Sequence, residues 1–289
     1  MSSRVKRTTL SAALVLSTLS TFALLAPGLA HADDAAGHYN LAVQHKREGK
    51  LTDAVAECLK AIQLRPNYAA AHMTLGSLYR AQNNYAAAAT EYEKVVKLEP
   101  KDPLSHYNLG VAYIALKRPD DGIRELEEAL DIKPDDYETR VSLGKVYSKK
   151  ADYKHAIEHL VKATELKPAE VDAWNSLGIA RSKTDDKEGA IVAFRKAIAL
   201  RPEDGELHFG LATVYRRQRK TDEAIAEYQV AVQKNPRLAK AYYDLGLLYS
   251  QDKKIAEARV AFEKYLEYGV SEDAASRKDA EERLKTFKK

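Results

Sequence analysis

A proline that recurs at a constant interval limits the folds that this sequence can adopt. Six prolines are each 34 residues from the next: Pro66, Pro100, Pro134, Pro168, Pro202 and Pro236. A fixed period of this length, kept without an insertion, is typical of proteins built from repeated supersecondary units. The chain is therefore predicted to form a linear array of like units, in which each unit packs mainly on its neighbours.

Small and large residues keep the same interval within each unit. A leucine followed by glycine or alanine recurs from Leu41-Ala42 to Leu245-Gly246, and a second small residue follows twelve positions after the first. Apolar residues spaced three and four apart predict helices, and the short polar stretches between them predict turns. Proline lacks the backbone donor that a helix needs, so it ends the second helix. Each unit should thus be a hairpin of two antiparallel helices.

These positions resemble the tetratricopeptide repeat (TPR), a family whose 34-residue unit carries small residues at its eighth and twentieth positions. Seven repeats fit the register within residues 33–272: 35–68, 69–102, 103–136, 137–170, 171–204, 205–238 and 239–272. The resemblance implies an all-α superhelical solenoid whose concave face is lined by the first helix of each repeat. Family members typically bind peptides or other proteins there, which implies a non-catalytic scaffold.

The segment after the last repeat, 273–289, predicts a C-terminal capping helix and a short tail. Ala280, Leu284 and Phe287 are spaced as one apolar face of a helix and have charged neighbours. A helix of this kind covers the open end of a solenoid. A helix that docks on a partner is the alternative interpretation.

Residues 1–32 have the features of a secretory signal peptide. Three basic residues and an apolar stretch precede Ala30-His31-Ala32, which offers small residues for cleavage before Asp33. An uncleaved anchor helix is the alternative. The remainder is predicted to be exported, to the periplasm of a Gram-negative bacterium or to the medium, without membrane insertion after cleavage.

The charge balance gives no support to binding of nucleic acid or an anionic membrane. Three of the 46 Lys and Arg residues lie within residues 1–32 and none of the 42 Asp and Glu residues do, so the net charge falls from +4 to +1 without that segment. A near-neutral remainder lacks the basic excess that attracts polyanions. The single cysteine, Cys58, leaves no disulfide within the chain.

Histidines recur at the fourth repeat position, but their spacing argues against a shared metal. Equivalent positions in successive repeats are separated by two helix diameters, about 15–20 Å, whereas zinc binds nitrogen at about 2.0–2.1 Å. They are interpreted as packing residues with one polar tip. The histidines in question are His38, His72, His106 and His208.

One short motif suggests zinc peptidase chemistry. His155-Ala-Ile-Glu-His159 has the order H-x-x-E-H, but Ala156 is the small residue of its repeat. His159 shares its register with a set of glutamates on a face expected to be exposed: Glu57, Glu91, Glu125 and Glu227. Since no nucleophile with a base and no phosphate-binding loop can be assembled either, the sequence predicts no enzyme, metal site or cofactor.

The partner-binding residues are expected on the concave face, at repeat positions two, five, six, nine, twelve and thirteen. The candidates combine aromatic, apolar, amide and guanidinium groups, a composition suited to protein recognition. They are Tyr39, Asn40, Val43, Met73, Arg80, Leu104, Tyr107, Asn108, Val111, Ile114, Phe209, Arg216 and Tyr243. No fifth position carries lysine and no ninth position carries asparagine, which departs from the set that some family members use to hold a C-terminal carboxylate.

Together these features predict a scaffold that binds partner proteins through its concave groove. The setting would be the periplasm or cell envelope, and the role the assembly of an envelope machine of the pilus, secretion or motility type. The ligand can be a peptide segment or a folded domain. A self-assembling structural protein that forms higher-order oligomers is the alternative.

Overall fold

The computed structural model describes residues 27–269 and 273–287, with side chains from Asp34 onward. Over these ranges the chain forms fifteen α-helices joined by short turns, so the all-α prediction is confirmed. The first eight are α1 (Pro27–Arg47), α2 (Leu51–Leu64), α3 (Ala69–Ala81), α4 (Tyr85–Leu98), α5 (Pro103–Ala115), α6 (Pro119–Ile132), α7 (Tyr137–Lys149) and α8 (Tyr153–Leu166). The others are α9 (Val171–Ser182), α10 (Lys187–Leu200), α11 (Gly205–Arg217), α12 (Thr221–Lys234), α13 (Ala239–Gln251), α14 (Ile255–Tyr268) and α15 (Ala274–Thr286).

Two compact units divide the chain, one ending at Ala71 and the other beginning at His72. The first unit contains α1 and α2. The second unit contains α4 to α15 and most of α3, and within it each odd-numbered helix from α5 to α13 packs against the even-numbered helix that follows. These are the hairpins that the 34-residue period predicts.

The repeat proline follows the end of the second helix in the six repeats that carry it, as expected. In the second repeat, α4 ends at Leu98, and Glu99 leaves the helical region with φ −131° and ψ 69°. The ring of Pro100 disfavours the helical conformation for the residue before it. The next first helix begins at an aspartate cap, because the Asp102 carboxylate accepts from the Ser105 amide at 2.9 Å.

The small residues let the two helices of a hairpin approach closely. In the third repeat α5 and α6 meet backbone to backbone: a Cβ on Gly110 would lie 2.9 Å from the carbonyl oxygen of Gly122. In the fourth repeat the fully buried Leu160 fills the space above Gly144, and a Cβ there would lie 2.4 Å from Leu160 Cγ. Both positions thus require glycine because of contact across the hairpin.

The terminal helix α15 packs on the last hairpin. Its Ala280 is fully buried, and Leu284 and Phe287 lie against the same cluster as Phe262 and Tyr265. Arg277 donates to the carbonyl oxygen of Gly269 at 2.8 Å, which is the C-cap of α14. α15 therefore covers apolar surface at the end of the last repeat.

The predicted signal segment lies largely outside the described residues, as do residues 270–272. α1 begins at Pro27, so Pro27 and Gly28 form its first turn, and the expected cleavage position before Asp33 falls inside this helix. The helix thus starts before the predicted boundary at residue 33. Within the described ranges, no helix combines the length and apolar character that a membrane crossing needs.

Candidate functional site

The side chains at repeat positions two, five, six, nine, twelve and thirteen share one face of the second unit, here called the first-helix face. It is formed by α3 from His72 onward, α5, α7, α9, α11 and α13. Successive first helices contact one another from α5 to α11. Shallow cavities open between them, so their side chains are presented together and not as isolated groups.

Between α3 and α5, three of the predicted residues meet. The Arg80 guanidinium donates to the Asn108 side-chain oxygen at 3.4 Å, and the Asn108 amide nitrogen lies 3.5 Å from the Met73 sulfur. Asn108 is buried, whereas Met73 and Arg80 are half-buried. No carboxylate lies within ion-pair distance of Arg80 in the described part of the chain.

Between α5 and α7, four of the predicted residues on the first-helix face are apolar or aromatic and line two cavities. Leu104 and Tyr107 line one cavity of about 280 Å³, and Leu104 is 55% exposed. Val111 and Ile114 line a second cavity of about 180 Å³, which Lys145 and Lys149 of α7 border. The first cavity is bordered by charges of both signs, Lys133, Asp136 and Glu138, whereas lysines alone carry the charge at the border of the second.

Between α11 and α13 a buried polar network replaces the apolar floor. The Asp244 carboxylate accepts from the Tyr228 hydroxyl at 2.9 Å and lies 3.3 Å from the Arg216 guanidinium. The Tyr228 hydroxyl also lies 3.2 Å from the Thr213 hydroxyl. Burial raises the pKa of Asp244, and the Arg216 charge and the Tyr228 hydrogen bond oppose that shift.

Two further predicted residues, Phe209 and Tyr243, line a cavity of about 190 Å³ together with Lys240 and Asp244. The Tyr243 hydroxyl donates to Asp279 of α15 at 2.9 Å, and its ring packs 5.0 Å from that of Tyr265. Tyr243 therefore also holds the terminal helix, a contact that its repeat position does not reveal.

The remaining predicted residues, Tyr39, Asn40 and Val43, belong to the first unit, on α1. The Tyr39 ring lies 5.1 Å from the Tyr68 ring, Asn40 is exposed and Val43 is half-buried. The ten predicted residues of the second unit thus form clusters at α3 and α5, at α5 and α7, and at α11 and α13, and not one site.

The fourth-position histidines do more than pack. In all four cases Nδ1 lies 2.5–2.9 Å from the glutamate at position twenty-three of the same repeat: His38–Glu57, His72–Glu91, His106–Glu125 and His208–Glu227. These glutamate side chains are only 14%, 11%, 17% and 27% exposed. The expectation that this second-helix position is exposed is therefore wrong.

A second contact ties the fourth position to the preceding proline. His106 and His208 place Nε2 at 3.2 and 3.3 Å from the carbonyl oxygens of Pro100 and Pro202. Trp174 donates to the Pro168 carbonyl oxygen in the same way at 2.9 Å. The fourth position thus links the end of one repeat to the hairpin of the next.

The H-x-x-E-H segment lies on α8 and packs on an aromatic ring. The rings of His155 and His159 lie 5.2 and 5.7 Å from that of Tyr147, and the Tyr147 hydroxyl donates to Glu127 at 2.7 Å. Burial, and next the Arg140 charge, lower the pKa of His159. Among the described residues no three His, Cys, Asp or Glu side chains are arranged to hold a metal ion.

The sequence interpretation missed the pairing inside the network at α11 and α13. Asp244, Tyr228 and Thr213 were not among the predicted residues, although two of them occupy the face positions six and nine. The histidine–glutamate pairs could have been predicted from the sequence, because glutamate occupies position twenty-three only in the repeats with histidine at position four.

Family models for the TPR match the chain at seven places. A model described as "TPR repeat" matches residues 76–117 and 214–253. Models described as "Tetratricopeptide repeat" match 103–136, 193–226, 137–170, 171–204 and 239–268. Three of these ranges have the bounds of the third, fourth and fifth predicted repeats. A comparison with curated proteins finds no match.

Solved structures of other TPR proteins resemble this fold. A TPR protein from Parabacteroides merdae is 19% identical, with a TM-score of 0.65 over 89% of this chain and 100% of its own. YrrB, described as a TPR protein with an unusual peptide-binding site, is 25% identical, with a TM-score of 0.53 over 59% of this chain and 88% of its own. MamA is 25% identical, with a TM-score of 0.54 over 57% and 97%.

The TPR fold is typically that of a non-catalytic scaffold, and TPR proteins bind peptides or other proteins. The period, the hairpins and the family matches from residue 76 to residue 268 agree: this chain is a member of the tetratricopeptide-repeat family.

Proposed function

We propose that the first-helix face binds polypeptide segments of other proteins, so that the chain acts as an assembly scaffold in the cell envelope. The observation that carries this proposal is the alternation of open apolar and basic groups on that face. Leu104 and Ile179 are 55% and 44% exposed. Large exposed apolar side chains beside polar ones are typical of recognition surfaces.

The basic groups of this face support an acidic or mixed partner segment. They lie at positions twelve and thirteen, in the last turns or at the C-cap of the first helices: Arg80, Lys149, Lys183 and Arg217. None of the four lies within 4 Å of a carboxylate among the described residues. The peptide-binding description of YrrB agrees with a role of this kind.

Site-specific photo-crosslinking in cells tests the proposal. A photoreactive phenylalanine replaces Tyr107 on the first-helix face, and the control probe replaces Glu128, an exposed residue on α6 of the same repeat. Glu125 cannot serve as the control, because its side chain pairs with His106. A heterologous adduct from Tyr107 alone, identified by mass spectrometry, supports binding at this face. Self-adducts only, or equal adducts from both positions, would point to self-association and reject the proposal.

Export is a separate part of the proposal and has its own test. The intact mass of the protein from the periplasmic fraction or the medium should correspond to a chain beginning at Asp33. A full-length chain in the membrane fraction would instead indicate a retained anchor, and a full-length chain in the cytoplasm would reject export.

A further inference from the structure

Two places on the first-helix face are built from equivalent positions four repeat lengths apart. One lies between α11 and α13 and contains Arg216, Tyr228 and Asp244. The other lies between α3 and α5 and contains Arg80, Tyr92 and Asn108, which occupy the same repeat positions twelve, twenty-four and six. The arginine at position twelve contacts the residue at position six in both places.

At position six the two places differ in charge, because only the place between α11 and α13 has a carboxylate there. Between α11 and α13, Asp244 accepts from the Tyr228 hydroxyl at 2.9 Å and faces Arg216 at 3.3 Å. Between α3 and α5, Asn108 replaces that aspartate. The Tyr92 hydroxyl, on a fully buried side chain, then has no hydrogen-bond partner in the described structure.

The place between α3 and α5 therefore has the same hydrogen-bond donors that surround Asp244, a guanidinium and a tyrosine hydroxyl, but it has no carboxylate. Among the described residues, the Arg80 guanidinium has only the 3.4 Å contact with the neutral Asn108 oxygen, and the Asn108 amide donates to a thioether, a weak acceptor. Arg80 is half-buried, so its open side is accessible from the groove. Hydrogen bonds between a guanidinium and a carboxylate are among the strong ones in proteins.

We infer that Arg80 and Asn108 form a binding site for an aspartate or glutamate side chain of the bound segment. This inference rests on the proposed function, since it names the anchor by which the same face holds its partner. The ligand carboxylate takes the role that Asp244 has between α11 and α13. The apolar side chains of Tyr107 and Val111, on the same helix as Asn108, receive the residues next to that carboxylate.

Fluorescence anisotropy with designed peptides tests the site. The probe is a fluorescein-labelled, C-terminally amidated peptide of about twelve residues with alternating Leu and Glu, and its partner has Gln for every Glu. A third peptide, with Gln and a free C-terminus, asks whether a terminal carboxylate substitutes for a side chain. We expect the Leu/Glu peptide to bind about tenfold more tightly than either Gln peptide, as a charge-assisted hydrogen bond predicts.

Three variants separate the site from general charge attraction. Arg80→Gln removes the donor, and Asn108→Asp supplies the carboxylate from within the chain; each should weaken Leu/Glu binding about tenfold. Arg237→Gln removes the same charge from an exposed turn between α12 and α13, outside the first-helix face, and should change affinity by about twofold or less. Equal losses in Arg80→Gln and Arg237→Gln, or wild-type binding by a folded Asn108→Asp, would overturn the inference.

Photo-crosslinking from position 107 in cells tests this inference separately from the proposed function. If Tyr107 still crosslinks a partner in the Asn108→Asp protein at wild-type yield, the face binds proteins and the carboxylate site is wrong. If the peptides behave as expected while Tyr107 yields no partner, the site stands and the proposed scaffold role falls.

Discussion

At the residue scale, the histidine–glutamate pairs join the two helices of a hairpin at a point with little access to water. In the third repeat, His106 faces the Glu125 carboxylate at 2.9 Å and the Pro100 carbonyl oxygen at 3.2 Å. Both partners are acceptors, so a ring nitrogen that carries a proton donates to the one that it faces. Removal of the ring leaves a carboxylate that is only 17% exposed without its donor.

A double-mutant cycle on His106 and Glu125 measures this pairing. Either alanine substitution alone should lower the free energy of unfolding by about 2 kcal/mol, because it strands a largely buried polar partner. The double variant should lose less than the two single losses together, with a coupling of about 1 kcal/mol in urea denaturation. His155 and Asp152, 49% and 39% exposed, form the matched control and should show much weaker coupling because solvent screens this pair. Equal coupling in both cycles would contradict the role given to burial.

The pH dependence of stability should carry a contribution from His159. Burial and the Arg140 charge lower its pKa in the folded state, and the weaker attraction of Glu158 and Glu127 does not cancel that shift. The folded protein therefore holds this proton less tightly than the unfolded chain. The stabilisation is complete above the ordinary histidine pKa and is lost as the pH falls through it.

His159→Gln should accordingly flatten the decline of unfolding free energy between pH 7.5 and pH 5. Urea denaturation at several pH values measures the slope, and His155→Gln on the same helix is the control because that side chain is exposed. A slope that does not change in His159→Gln, or that changes equally in both variants, would show that His159 is not a source of acid sensitivity.

At the scale of the helical hairpin, the turn after the first helix contains a left-handed residue in six of the seven repeats. Gly49 supplies it in the first repeat with φ +75°, but five other repeats use non-glycine residues near φ +60°: Asn83, Lys117, Ala151, Arg219 and Lys253. The next amide closes the turn, as Asp152 does by donating to the Tyr147 carbonyl oxygen at 2.9 Å. A Cβ in this region is unfavourable by about 1 kcal/mol.

Ala151→Gly should therefore raise the free energy of unfolding by about 0.5–1 kcal/mol, even though glycine increases the entropy of the unfolded chain. Ala226→Gly is the matched control, because Ala226 is exposed in the middle of α12 and glycine there should cost about 1 kcal/mol. Thermal or urea denaturation measures both. If the two variants lost stability equally, the left-handed conformation of residue 151 would not determine how Ala151→Gly changes the free energy of unfolding.

The sequence predicted the hairpins well because their determinants are local and periodic. Pro100 and Asp102 fix where α4 ends and α5 begins, and the residue types alone indicate this. The side-chain partners were not predictable in the same way. Asn108 and Asp244 occupy equivalent positions, yet Asn108 contacts a thioether and an arginine, whereas Asp244 contacts a tyrosine and an arginine. Such pairings depend on distances between helices of different repeats, which periodicity does not give.

At the scale of the whole molecule, the apolar core of the second unit continues from one repeat to the next. A single buried cluster includes Ala190 of α10, Leu211 of α11, Tyr228 of α12 and Leu245 of α13. No repeat in this cluster buries all of its apolar side chains by itself, so each depends on its neighbour to cover them. On the seventh repeat, the place of a following hairpin is taken by α15, which covers the apolar cluster with Ala280, Leu284 and Phe287.

The role of α15 as a cap leads to a test at this scale. Ala280 is fully buried against α13 and α14, so Ala280→Arg should force α15 away and expose Phe262 and Tyr265. Losing the burial of a few apolar side chains should lower the free energy of unfolding by about 3 kcal/mol. Association that rises with protein concentration should follow, since exposed apolar patches favour it. Urea denaturation and light scattering after size exclusion measure the two effects.

Glu281→Arg, at the adjacent exposed position of α15, is the matched control and should leave stability and association unchanged. The comparison also separates the two interpretations of this helix. If α15 were chiefly a docking helix for a partner, Ala280→Arg would remove the partner adduct while the isolated protein kept its stability and its size. If α15 caps the last repeat, the isolated protein itself loses stability and associates, and the adduct from Tyr107, at α5, persists wherever the earlier repeats remain folded.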